Sequence, residues 1–130
     1  MLASDASMLV REAVATNQAS PAEVLEQLAR DGDVRVRKSV AGNRHTPPPV
    51  LGRLFNDPDS DVWAKTIRHP NMPVPILEEL VHTYANNTWL MGVLLSNPRV
   101  PTHLLRLIIR TSSGATIRAM AHRKLPPQTS

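Results

Sequence analysis

A single phrase returns at a near-constant interval along the chain and leaves few folds open to it. Pro21, Pro47, Pro73, Pro101 and Pro127 stand 26, 26, 28 and 26 residues apart. Four residues before each proline stand Asn17, Asn43, His69, Asn97 and Arg123. After the first four prolines come apolar pairs at helical spacing: Leu25 and Leu28, Leu51 and Leu54, Leu77 and Leu80, Leu105 and Ile108. Self-similarity with a period of roughly 20–50 residues is the signature of stacked repeats. A chain built this way divides into equivalent units, each unable to bury its apolar side alone.

Ten residues before these anchors lies a second column, Ser7, Asp33, Asp59, Asn87 and Ser113. All five can cap a helix by accepting from a free backbone N–H of its first turn. Apolar residues follow at helical spacing: Val10, Val14 and Ala15; Val36, Val40 and Ala41; Val62 and Ile67; Leu90, Leu94 and Leu95. The first helix of each repeat is therefore expected to run about nine residues. It should end near the anchor, where Asn tolerates the left-handed backbone that terminates helices. The proline is expected at the first position of a second helix, with Ser20 and Thr46 as caps and Ser20–Glu23 as a capping box. The two additional residues of the third interval fall near 82–87, as a longer loop or an extra helical turn.

These columns predict one helical-repeat domain over residues 1–123. Its repeats span 7–32, 33–58, 59–86 and 87–112, with a partial fifth at 113–127 and a frayed tail at 124–130. The pattern Val-Arg-x-x-Val-Ala-x-Asn-x-x-Thr-Pro-x-x-x-Leu-x-x-Leu runs most fully from Val10 to Leu28 and from Val36 to Leu54. It resembles the leucine-rich repeat variant family of bacterial proteins, which is HEAT-like rather than related to β-strand leucine-rich repeats. The resemblance implies two short helices per repeat, one of them able to be 3₁₀, wound into a right-handed superhelix. The expected fold is thus an all-α, right-handed α-solenoid of about four and a half repeats with no β-sheet. Trp63, His69 and Met72 depart from the family's Arg, Asn and Thr. A member of the family carries an iron–sulfur cluster on a cysteine-rich segment. This chain has no cysteine, so no cofactor is expected.

The lack of cysteine also removes disulfides, thiolate metal sites and cysteine nucleophiles, and is compatible with a reducing cytoplasm, the expected location. There is no apolar run of about 18 residues and no basic-then-apolar leader, so neither a membrane span nor a signal peptide is expected. Charge is uneven. Residues 1–79 hold nine Lys/Arg and eleven Asp/Glu, whereas residues 80–130 hold six Lys/Arg and no acid.

Catalytic signatures are missing. His45, His69, His82, His103 and His122 occupy different columns and show no H-E-x-x-H spacing. They read as surface or capping residues. Asp31, Asp33, Asp57, Asp59 and Asp61 cluster at the turns between repeats, where they cap helices and complement their dipoles. No G-x-S-x-G elbow appears. An enzyme of the HEAT-like lyase or glycosylase type would need a convergent acid or base, which is not found.

Two columns remain as binding candidates. Six residues before the anchors stand Arg11, Arg37, Trp63, Met91 and Ile117. A line of this kind could dock another protein, because Trp and Arg are common energetic anchors of interfaces; packing between repeats is the alternative. Trp89 is expected to pack. The second candidate is the basic set Arg99, Arg106, Arg110, Arg118, Arg123 and Lys124, which suits an acidic protein or a phosphate backbone. Few aromatics accompany it to stack bases. The function expected is non-catalytic binding of a protein partner, with nucleic-acid binding through the basic half as the alternative. Ile117, Met120 and Leu125 form an apolar end that could support self-association.

Overall fold

The computed structural model describes residues 7–127. Among these residues the chain is all-helical, without strands, in the alternating helix-pair pattern of an α-solenoid. The helices are α1 (Met8–Thr16), α2 (Ala22–Leu28), α3 (Val34–Gly42), α4 (Pro48–Leu54), α5 (Ser60–Arg68), α6 (Val74–Tyr84), α7 (Thr88–Leu95), α8 (Thr102–Thr111) and α9 (Ala115–Lys124). Such short helices are marginal by themselves, so packing must hold them. The described residues form two compact units, divided between Met72 and Pro73. In the first, α1, α3 and α5 lie side by side, and α2 and α4 pack against that row. In the second, α7 lies beside α9 and α6 beside α8, with α6 and α8 packed on the other pair.

The expected core columns are where the helices meet. Leu25, Leu51, Leu77 and Leu105 are buried, as are Leu28, Leu54, Leu80 and Ile108. Full burial of each such side chain contributes roughly 1.5–3 kcal/mol. Val10 and Val14 are the exceptions, Val10 being 40 % exposed and Val14 half-buried. Both sit on the first described helix, which has α3 on one side.

The ends of the helices differ from expectation in three ways. Pro21, Pro47, Pro73 and Pro101 are themselves the N-caps, with the helix starting one residue later. Ser20 and Thr46 therefore cap nothing and make no capping box. Their hydroxyls turn backwards and donate to Val14 O and Val40 O, both at 2.6 Å, closing the preceding helix. The anchors Asn17, Asn43 and His69 are extended rather than left-handed, with φ near −70° and ψ of 118°, 123° and 135°. No described residue has positive φ. Finally, the Ser7 side chain makes no cap bond to α1, and α9 is capped by Gly114, not Ser113. Asp33, Asp59 and Asn87 do cap, accepting from Arg35 N, from Asp61 N and Val62 N, and from Leu90 N.

The added residues of the third interval became helix. α6 has 11 residues, against 7 in α2 and in α4. His82 consequently lies in α6 rather than in a loop. At the other end Lys124 belongs to α9 and Leu125 caps it; the remainder of the tail expected at 124–130 reaches beyond the described residues.

Candidate interaction surfaces

The anchor column is an internal device. Asn17, Asn43 and Asn97 each accept, through Oδ1, the N–H two residues on: Ala19 at 2.9 Å, His45 at 2.9 Å and Arg99 at 2.8 Å. The Asn43 amide also donates to Ala15 O (2.8 Å) and Asn17 O (3.1 Å) in the previous repeat. His69 reproduces both halves of this arrangement. Its Nδ1 accepts from Asn71 N at 2.9 Å, so its proton lies on Nε2, which donates to Asn43 O at 2.6 Å. Of the two roles expected for the histidines, surface or capping, it takes the second, as the C-cap of α5 at 4 % exposure. Burial holds this imidazole below its ordinary pKa, partly offset by the hydrogen bond to Asn43. The other four histidines are exposed. Among the described residues no three His, Cys, Asp or Glu are grouped to hold a metal ion.

The column proposed to dock a partner is largely consumed inside the chain. Arg11 Nε donates to Asp31 Oδ2 at 2.7 Å, and Arg37 Nε to Asp57 Oδ2 at 2.7 Å. Each clamp ties a first helix to the turn that ends its own repeat. Arg37 Nη1 also donates to Asp31 O at 2.8 Å, reaching the previous turn. The same carboxylates receive Asp33 N and Asp59 N at 2.9 Å. Trp63 is half-buried with its ring 6.0 Å from that of Phe55. Met91 is 0 % exposed and Ile117 is 1 % exposed, so neither can form a docking stripe. Trp89, expected to pack, is 52 % exposed.

Ile117 was also in the wrong register. It stands three residues after the Gly114 cap, as Val36, Val62 and Leu90 stand after theirs, and all are buried. The equivalent of Arg37 is Arg118. Its Nη1 donates to Ser112 O at 3.0 Å, six residues back, as Arg37 does to Asp31 O. Arg118 therefore leaves the basic surface set. The end expected to be apolar and open is mostly covered, with Ile117 buried and Met120 and Leu125 half-buried.

The remaining cations Arg99, Arg106, Arg110, Arg123 and Lys124 are exposed. They do not converge on one site. Arg123 and Lys124 line a shallow cavity of about 350 Å³ with Gly92, Leu95, Ser96 and Met120, whereas Arg106 and Arg110 stand a turn apart on α8 and do not line it. A larger cavity of about 430 Å³ opens where α1, α3 and α5 lie side by side, lined by Glu12, Arg35, Lys38, Gly42, Arg44 and Lys65 among others.

The leucine rich repeat variant family model matches residues 9–33 and 34–59. These two adjacent segments are similar to leucine rich repeat variant repeats. No curated protein and no solved structure matches the chain. Each matched leucine rich repeat variant segment holds one complete clamp, Arg11 with Asp31 or Arg37 with Asp57. The matches end at residue 59, before the repeat in which Trp63 stands in the arginine column. No helix among the described residues is long and apolar enough to cross a membrane.

Sequence reasoning missed the cations around the larger cavity, because residues 1–79 have no net basic charge to attract notice. Their convergence comes from stacking. One signal was present: folded on the 26-residue period, Lys65 falls beside Ser39, one position from Lys38.

Proposed function

We propose that this protein is a non-catalytic scaffold that holds another protein on the surface of its repeats. The helical repeat family points to protein interaction, and the division of labour within the repeats supports this reading. Interior polar groups are satisfied inside the chain: among the described residues no buried side-chain N or O lacks a partner. The row of first helices also carries charged side chains around an open cavity. That row is the observation that carries the reading. Affinity capture with the intact chain, against a Leu51→Asp variant that cannot pack its repeats, tests it. A partner held only by folded bait supports the scaffold; the same recovery from both baits removes it.

A second reading has its own observation. Residues 73–130 hold six Lys/Arg and only Glu78 and Glu79 as acids, and five of those cations are exposed. A phosphate backbone would suit them, with affinity falling steeply with salt. Anisotropy titrations of DNA and RNA at low and high salt, with Arg106→Ala plus Arg110→Ala as the variant, decide it. No binding at low salt, or none lost in the variant, removes it.

A further inference from the structure

We propose that the cavity between α1, α3 and α5 docks an acidic segment of the protein partner, with carboxylates held by Arg44 and Lys65; the proposal rests on the scaffold reading. Four cations line it, and two are already committed. Arg35 bridges to Asp33 at 3.0 Å and Lys38 to Asp61 at 3.1 Å. Arg44 and Lys65 are exposed, and among the described residues neither has a carboxylate within ion-pair distance. The hydroxyls in the lining are spoken for: Thr16 donates to Glu12 O at 2.8 Å and Ser39 to Arg35 O at 3.1 Å. What the cavity offers an incoming group is therefore chiefly positive charge, with the Gln18 amide and the Glu12 carboxylate beside it.

Gly42 keeps the floor open. It is the last residue of α3, and a Cβ there would meet only Lys65 Nζ, at 3.9 Å. Glycine in a helix costs roughly 0.5–1 kcal/mol relative to alanine. The matching positions of α1 and α5 carry Thr16 and Arg68. Lys65 thus lies across bare backbone, with room beside it for a ligand chain.

The arrangement favours a peptide over nucleic acid. Glu12 lines the cavity, and Asp33 and Asp61 stand beside its cations. A phosphate backbone is charged at every residue and would meet these acids. A peptide can space its carboxylates to avoid them. No aromatic side chain lines the cavity to stack a base. Packed helices lie about 8–10 Å apart, and a polyproline II peptide has three residues per turn with a rise of about 3.1 Å each, so acids three positions apart share one face and match neighbouring helices.

The test uses the whole chain and a short fluorescein-labelled peptide with glutamate at every third position among glycines and serines. Fluorescence anisotropy at low salt should show binding that Arg44→Glu with Lys65→Glu weakens about tenfold or more, at two reversed charge contacts. Glu12→Gln should tighten it, and the glutamine version of the peptide should bind far less. Arg44 and Lys65 are exposed, so an unchanged melting curve for the double variant excludes misfolding as the cause. Equal binding of the glutamine peptide, or unchanged binding in the double variant, overturns this site. Either result leaves the scaffold reading standing, since capture can use another face. An oligothymidylate of equal charge that displaces the peptide, and itself depends on Arg44 and Lys65, overturns it in favour of nucleic acid.

Discussion

The two units tie their turns together with different chemistry. In residues 7–72 the work falls to charge: Arg11 clamps Asp31, and Arg37 clamps Asp57 while also holding the Asp31 carbonyl. In residues 73–127 Arg118 still holds the Ser112 carbonyl, but no carboxylate clamps it and the other ties are neutral. Met91 occupies Arg37's column and is buried. Ser112 Oγ donates to Ala85 O at 2.5 Å, and Ser113 donates to Asn86 Oδ1 from its N–H (2.8 Å) and its hydroxyl (3.0 Å). The repeat asks for a tied turn and an excluded water, and either solution meets it. The choice changes the surface. The first unit takes Arg11 and Arg37 inside and leaves Arg30, Arg35, Arg44, Arg53 and Arg68 exposed among acids, whereas the second takes only Arg118 inside and leaves Arg99, Arg106, Arg110 and Arg123 in solvent with little acid near them.

The largest expected effect tests what the units share. Leu51→Ala in the first and Leu105→Ala in the second should each cost about 3–5 kcal/mol in urea unfolding, because both empty a buried site. A much smaller cost in one unit would show that its leucine column is not equivalent. Next comes the clamp. Asp57→Ala leaves the Arg37 guanidinium mostly buried without its carboxylate and should cost about 3 kcal/mol, the low end for a broken buried pair. Converting the clamp toward the second unit's chemistry, with Arg37→Met and Asp57→Asn together, should cost under about 1.5 kcal/mol, since buried pairs replaced by apolar groups are often near neutral. A double variant as damaged as Asp57→Ala would break the comparison.

The smallest effect concerns His69. Its folded-state pKa is depressed, so the unfolded chain binds the proton more readily. The stability from neutral His69 is complete above the unfolded imidazole value of about 6.5 and declines as pH falls below it. One proton limits the slope to about 1.4 kcal/mol per pH unit. His69→Asn, which restores the residue used at Asn17, Asn43 and Asn97, should flatten that decline between neutral pH and about pH 5.5. Parallel curves for wild type and variant would show that the ring is free to protonate in place.

Much of the fold was legible because the repeat writes the same physical demand several times. The Leu25/Leu51/Leu77/Leu105 column could be read four times over, and the cap column three times, at Asp33, Asp59 and Asn87. Legibility failed where one residue could serve two local roles. Thr46 before a proline looks like an N-cap, yet its hydroxyl found the Val40 carbonyl. In the fifth repeat Pro127 misled the alignment by one residue. The dipeptide Ile117-Arg118, parallel to Val10-Arg11 and Val36-Arg37, carried the correct register.

The chain alone determined the helical period, the apolar columns and the residues able to end each helix, because those depend on neighbours within a turn or two. Only the tertiary structure decided which arginines face water. A guanidinium's fate rests on whether a carboxylate twenty residues away arrives beside it, as Asp31 does for Arg11 and Asp57 for Arg37. The same holds for the cavity: Arg44 and Lys65 are unremarkable apart, and become a pair only when α3 and α5 lie side by side.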